Sequence, residues 1–190
     1  MDTNYTVYTP RLSQHRNKHL RQEFRSCCSI NEWALPVAAT LTLKQARTIP
    51  IGLDDWKSLG HSASGFVGEI HQSLDRQNCE QNFRHLINVL NVWTYGHAFR
   101  RYGKRLRVIP VIEGGNGERF HYHALIDCAD RRRYFEFTNL IADTWRSTDW
   151  GYDQVCIRVQ ADDGWISYMT KFKDKEDFAD SIDWMNFYNG

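Results

Sequence analysis

A large net charge is the first thing this chain lacks: 24 Lys and Arg stand against 23 Asp and Glu in 190 residues, a formal charge of +1. No global polycationic attraction to nucleic acid follows from that sum. Long apolar runs are missing too. None approaches the roughly 18 residues of a membrane-spanning helix. The opening Met1-Asp2-Thr3-Asn4-Tyr5 has neither the cationic start nor the apolar stretch of a secretory signal. Metal-ligand cysteine spacing is absent as well: Cys27, Cys28, Cys79, Cys128 and Cys156 contain no Cys-x-x-Cys pair, and adjacent Cys27 and Cys28 cannot form an ordinary bridge. This odd, unpaired set fits a reducing compartment, so the expected location is cytoplasmic, without membrane contact. Cys128 and Cys156 are expected as small core hydrophobes in or beside strands. No Gly-x-x-x-x-Gly-Lys-Ser/Thr loop occurs, so neither a nucleotide cofactor nor a fused P-loop motor is expected. No internal repeat is visible.

What is present supports a packed domain. Hydrophobic residues make up 42% and aromatics 14%, including seven Trp, enough for one core in one domain spanning 1–190. The charge is unevenly spread. Arg100, Arg101, Lys104, Arg105 and Arg107 crowd one stretch, and Arg131, Arg132 and Arg133 form another. The acidic counterweight lies late, at Asp174, Glu176, Asp177, Asp180 and Asp183. A near-neutral sum can therefore hide a basic face. Residues 1–32 read as a basic N-terminal extension and 176–190 as an acidic C-terminal tail.

Periodicity orders the elements. Val37, Ala39, Leu41 and Leu43 alternate along a strand. Residues 47–65 carry Pro50, Gly52, Gly60 and Gly65 and read as loop, followed by a short helix over 66–76. Phe83, Leu86, Ile87, Leu90 and Trp93 step at helical spacing within 80–102, which Gly103 ends. Strands are expected at 107–112 and 119–127, with Pro110 pushing the first to an edge or a bulge. Tyr134, Phe137, Leu140, Ile141 and Trp145 form a second amphipathic helix. Val155, Ile157 and Val159 alternate along a last strand, and Asp162-Asp163-Gly164 opens a helix carrying Trp165 and Tyr168. The order strand, helix, strand, strand, helix, strand predicts an α+β, ferredoxin-like (RRM- or palm-like) βαββαβ sandwich, one antiparallel sheet with helices on one face. The N-terminal segment and residues 47–77 are additions to it.

The chemistry concentrates at His121-Tyr122-His123. In the run Phe120-His121-Tyr122-His123-Ala124-Leu125-Ile126 the apolar residues share one strand face and the two imidazoles the other. Two imidazoles so placed can converge on one divalent ion. A hairpin through Gly114-Gly115-Asn116-Gly117 brings Glu113 beside them as a carboxylate ligand, with Glu118 and Asp127 as the other carboxylates in reach. That donor set suits octahedral Mn²⁺ or Mg²⁺ with open positions, and the imidazoles tilt it towards Mn²⁺. Tyr168 and Lys171, three residues apart, share a helix face as a nucleophile and a cation. Trp56, Trp145, Trp150 and Trp165 are candidates for stacking on bases, though core packing suits each of them better.

These motifs resemble the HUH endonuclease superfamily, and within it the rolling-circle replication initiators of the single-tyrosine type. Ala39-Thr40-Leu41-Thr42-Leu43 fits the first motif, the His run the second, and Tyr168-Met169-Thr170-Lys171 the third, over about residues 33–175. The resemblance implies metal held by Glu113, His121 and His123. It also implies attack by Tyr168 on single-stranded DNA or an origin hairpin, a 5′-phosphotyrosyl intermediate, and a separate helicase as partner. The two arginine clusters, Arg100, Arg101, Lys104, Arg105 and Arg131 to Arg133, are expected to contact phosphates. A relaxase would place its tyrosine ahead of the histidines and add a third His; a single-tyrosine transposase would pair its tyrosine with Gln. Outside this class stand a nucleic-acid-binding module with a degenerate metal site and a hydrolase that uses water.

Overall fold

The computed structural model describes residues 10–28, 30, 33–50, 69–115, 117–170 and 179–190. In chain order the elements are α1 (Pro10–Cys27), β1 (Pro36–Leu43), β2 (Ala46–Pro50), β3 (Glu69–Ser73), α2 (Arg76–Tyr95), α3 (His97–Tyr102), β4 (Val108–Gly115), β5 (Glu118–Asp127), α4 (Tyr134–Ser147), β6 (Gly151–Arg158) and α5 (Asp163–Met169). The fold is α+β. Four strands form one antiparallel sheet in the order β4-β5-β1-β6.

Alternation along each strand gives the sheet two faces. Val37, Ala39, Leu41 and Leu43 of β1, Tyr122, Ala124 and Ile126 of β5, and Val108 and Ile112 of β4 point to one side. There they bury Phe83, Leu86 and Leu90 of α2 and Phe137, Ile141 and Trp145 of α4. Phe83 stacks on Tyr122 with ring centroids 4.5 Å apart. The other side carries Ala38, Ile109, Val111 and Leu125, packed against Phe24 and Cys28 of the N-terminal region and Ile166, Met169 and Ile182. Helices therefore cover both faces, the second only in part. The expectation of helices on one face is corrected by α1 and α5.

Pro110 sits where its missing N–H demands. β4 is an edge strand of the sheet, and the outward carbonyl of Pro110 accepts a hydrogen bond from Asp183 N at 3.1 Å. Val108 and Tyr188 exchange two further backbone bonds. Residues 179–190 are thus a strap on the β4 edge rather than an acidic tail. Inside it Asp183 is fully buried, accepting from Tyr122 Oη at 3.0 Å and Asn186 Nδ2 at 2.6 Å.

Three further expectations change. Residues 46–50 and 69–73 pair as an antiparallel ribbon, β2 with β3, where a loop and a helix were expected. The pairing is set by cross-strand contacts that periodicity does not reveal, such as Arg47 Nε to Gln72 Oε1 at 3.0 Å. The long helix begins at Arg76, capped by Asp75 accepting from Asn78 N, and breaks at Gly96, whose φ of 52° ends one helix and starts the next. Cys156 is exposed, since β6 is the opposite edge strand, while Cys128 is buried as expected. No helix among the described residues is long and apolar enough to cross a membrane.

Candidate metal centre

Register builds the site. β4 pairs with β5 so that Val111 faces His123 and Glu113 faces His121, and β1 sets Thr40 beside His123 and Thr42 beside His121. A register irregularity falls between Glu113 and Gly115, immediately before the turn. Gly114 adopts φ 105°, and a Cβ there would collide with the Arg119 carbonyl, so no other residue fits this close approach.

The result is three ligand groups aimed at one point. His121 Nε2 lies 3.0 Å and His123 Nε2 3.6 Å from Glu113 Oε2. One ligand atom from each residue lies within 4.8 Å of the others, so the cluster can hold a metal ion. The carboxylate is Glu113. Glu118 is exposed, and Asp127 at the far strand end accepts from Ala34 N and Leu35 N. The remaining ring nitrogens are already engaged. His121 Nδ1 lies 3.1 Å from the Arg119 carbonyl, which can only accept, and His123 Nδ1 lies 3.0 Å from Thr40 Oγ1. Those outer partners fix both rings with Nε2 inward, the arrangement that metal-binding imidazoles use. Burial works to raise the Glu113 carboxyl, but hydrogen bonds from His121 and His123 overcome it and lower the pKa to about 2. Glu113 is thus an anion ready to ligate.

Tyr168 packs beside this cluster. Its ring stands edge-on to His123, centroids 5.5 Å apart, and Trp165 packs on it at 5.2 Å. Ile166 and Met169 anchor α5 in the second core cluster, which leaves Tyr168 half-exposed over the centre. Arg25 of α1 holds the end of this helix, donating from Nε to Thr170 Oγ1 at 2.8 Å. Tyr134 and Tyr152 are placed differently. Tyr134 is buried, donating to the Pro36 carbonyl and accepting from Gln160 N; Tyr152 lies under the Arg119 guanidinium. Lys171 lies outside the described residues, as does Trp56. Trp145 and Trp150 are core residues.

The basic clusters do not join the centre. Arg107 precedes Val108, which pairs with Ile126, whereas Glu113 pairs with His121. Arg100, Arg101, Lys104 and Arg105 therefore sit at the opposite end of the sheet, and so do Arg131, Arg132 and Arg133, just past the end of β5. The cations on the histidine face are others. Arg119 precedes His121 by two residues, and Arg158 pairs with Ala38 and lies 5.8 Å from the Trp165 ring. Strand alternation from His121 points to Arg119, and from Thr40 to Thr42 along β1, so both were within reach of the pattern.

No family model, curated protein or solved structure matches this chain.

Proposed function

We propose that this protein is an HUH-type endonuclease of the rolling-circle initiator kind. It nicks single-stranded DNA at a replication origin and rejoins it through a 5′-phosphotyrosine on Tyr168. The strand order β4-β5-β1-β6 with two helices on one face supports a ferredoxin-like domain as its frame. The observation that carries the reading is Tyr168 packed against His123, a member of the ligand cluster. A tyrosine in the core has no reason to meet a metal ligand across the open face of a sheet.

Two imidazoles and a carboxylate suit Mn²⁺ or Mg²⁺, with open positions left for phosphate oxygens. A divalent ion bound there supplies Lewis-acid neutralisation of charge on the phosphate. Glu113 and the two imidazoles would hold the ion, while Thr40 and the Arg119 carbonyl keep the rings from turning. Tyr168 Oη attacks phosphorus, the Oη–P bond forms, and the bond from phosphorus to the 3′-oxygen breaks. The phenolic proton passes through solvent to the leaving 3′-oxygen. The reverse attack by another 3′-hydroxyl restores the phenol, so rejoining needs no nucleotide. Lys171 and Arg119 serve as the cations that place the scissile phosphate. Opening the duplex falls to a separate helicase.

Tyr168→Phe tests this directly. The substitution removes one oxygen and keeps the ring, so folding and Mn²⁺ binding should persist. With a single-stranded DNA library and Mn²⁺, the wild-type chain should give a covalent adduct on the peptide holding Tyr168, and the variant none. Cleavage without an adduct would mean that water is the nucleophile. Absence of both would leave a binding module.

A further inference from the structure

The two most exposed large hydrophobic side chains among the described residues are Tyr102 at 80% and Phe135 at 77%. Tyr102 lies inside one arginine cluster and Phe135 two residues after the other. Residues 97–107 include no acid, and Arg100, Arg101, Lys104 and Arg105 around Tyr102 are all exposed. Arg131 and Arg132, just before Phe135, are exposed too. The clusters flank the same end of the sheet, where Asp127 N donates to the Arg107 carbonyl at 3.0 Å. The neighbouring aromatics are capped by cations. Arg133 covers Trp93 at 3.4 Å and Lys104 lies 5.1 Å from Tyr95. Among the described residues no cation covers Tyr102 or Phe135 in this way. Burying an aromatic ring is favourable, and here two rings stand exposed in or beside runs of cations.

We propose that this end of the sheet is a second nucleic-acid site, independent of metal, in which bases of a single strand stack on Tyr102 and Phe135. Their phosphates meet the arginines of the two clusters. The proposal rests on the reading that the chain acts on single-stranded DNA. Flat rings interleaved with cations match the chemistry of single-strand grip, in which every base offers a face to stack and every linkage a charge. An anionic membrane would need a continuous apolar face to insert, and in these two stretches the exposed large apolar groups are the two rings alone. The five strand steps from Val108 to Glu113 put this end of the sheet about 17 Å from the metal centre. It therefore anchors a strand without occupying the position where the bond is cut.

The test is fluorescence anisotropy with a labelled dT homopolymer of about twenty nucleotides, in EDTA. Tyr102→Ala and Phe135→Ala should each weaken binding by about five- to a hundredfold. Tyr102→Phe should restore it, because the ring and not the hydroxyl stacks. Affinity for Mn²⁺ should not change in any of the three. Equal dT affinity in wild type and in the doubly substituted chain overturns the proposal, even where the Tyr168 adduct forms. Binding to phosphatidylserine vesicles, lost on the same substitutions and without binding to dT, overturns it in favour of a membrane surface. Ring-dependent dT binding with no adduct on Tyr168 keeps this site and sinks the nicking reading.

Discussion

The two faces of the β5 strand are one residue apart and do opposite work. Tyr122 is fully buried, stacked on Phe83 and bonded to Asp183. His121 and His123 point the other way, towards Glu113 and the open part of the sheet. The packed face fixes the backbone from which the ligands project. The distance between the imidazoles is thus set by side chains that never touch a ligand. On the open face the rings are held by polar contacts instead: His121 Nδ1 meets the Arg119 carbonyl and His123 Nδ1 meets Thr40 Oγ1.

That contrast can be broken from the packed side with the largest effect. Phe83→Ala removes a fully buried ring and should cost about 3–5 kcal/mol of stability, read by urea denaturation. Metal affinity in the fraction still folded should hardly move. From the other side, His121→Ala with His123→Ala should abolish Mn²⁺ binding by calorimetry with a far smaller change in urea midpoint. A double variant that binds Mn²⁺ normally would remove the metal centre from the account.

Smaller changes sharpen the comparison. Thr40→Val takes away the partner of His123 Nδ1 and should weaken metal binding by about 10- to 100-fold with little loss of stability. Tyr122→Phe leaves the buried Asp183 one donor short, which should cost about 1–3 kcal/mol and leave Mn²⁺ affinity alone. The smallest effects are opposite pH slopes in metal-free protein. Glu113, lowered from 4.5 to about 2, adds stability above about pH 4.5 that is lost as pH falls towards 2. Asp183 is raised by burial, only partly offset by its bonds from Asn186 and Tyr122. Its contribution is present below the ordinary carboxylate value and lost as pH rises through the raised one. Glu113→Gln should flatten the acid limb and Asp183→Asn the limb above it; the same limb flattened by both would mean that the two carboxylates are not distinct.

Legibility followed the range of the interactions. The four sheet strands and two main helices could be read because alternation and helical stepping are local, and the Glu113 hairpin because glycines mark its turn. Tyr168 was legible from its spacing to Lys171, although its approach to His123 depends on how α5 docks. The β2–β3 ribbon was not, since five-residue strands with mixed side chains carry no clear period. Nor was the strap. Ile182 and Asp183 sit among acids and look like solvated tail, and their partners, the free edge of β4 and Tyr122 of β5, come from far along the chain. The basic clusters were visible as composition, while their place at the far end of the sheet came from strand register.

Some of the most distant contacts along the chain tie its first helix and the residues after it to α5 and to the strap. Arg25 binds Thr170, Trp33 Nε1 donates to Asn189 Oδ1, and Asn189 Nδ2 donates to the Cys27 carbonyl, with separations of 145, 156 and 162 residues. Such closures pay their loop entropy before any reward arrives, which places them late on a folding route. The helices and hairpins can assemble early and still leave the tyrosine undocked. A nascent chain would then bring Glu113, His121 and His123 together before Tyr168 is seated beside His123, and the proposed reaction would become available only once Arg25 had found Thr170.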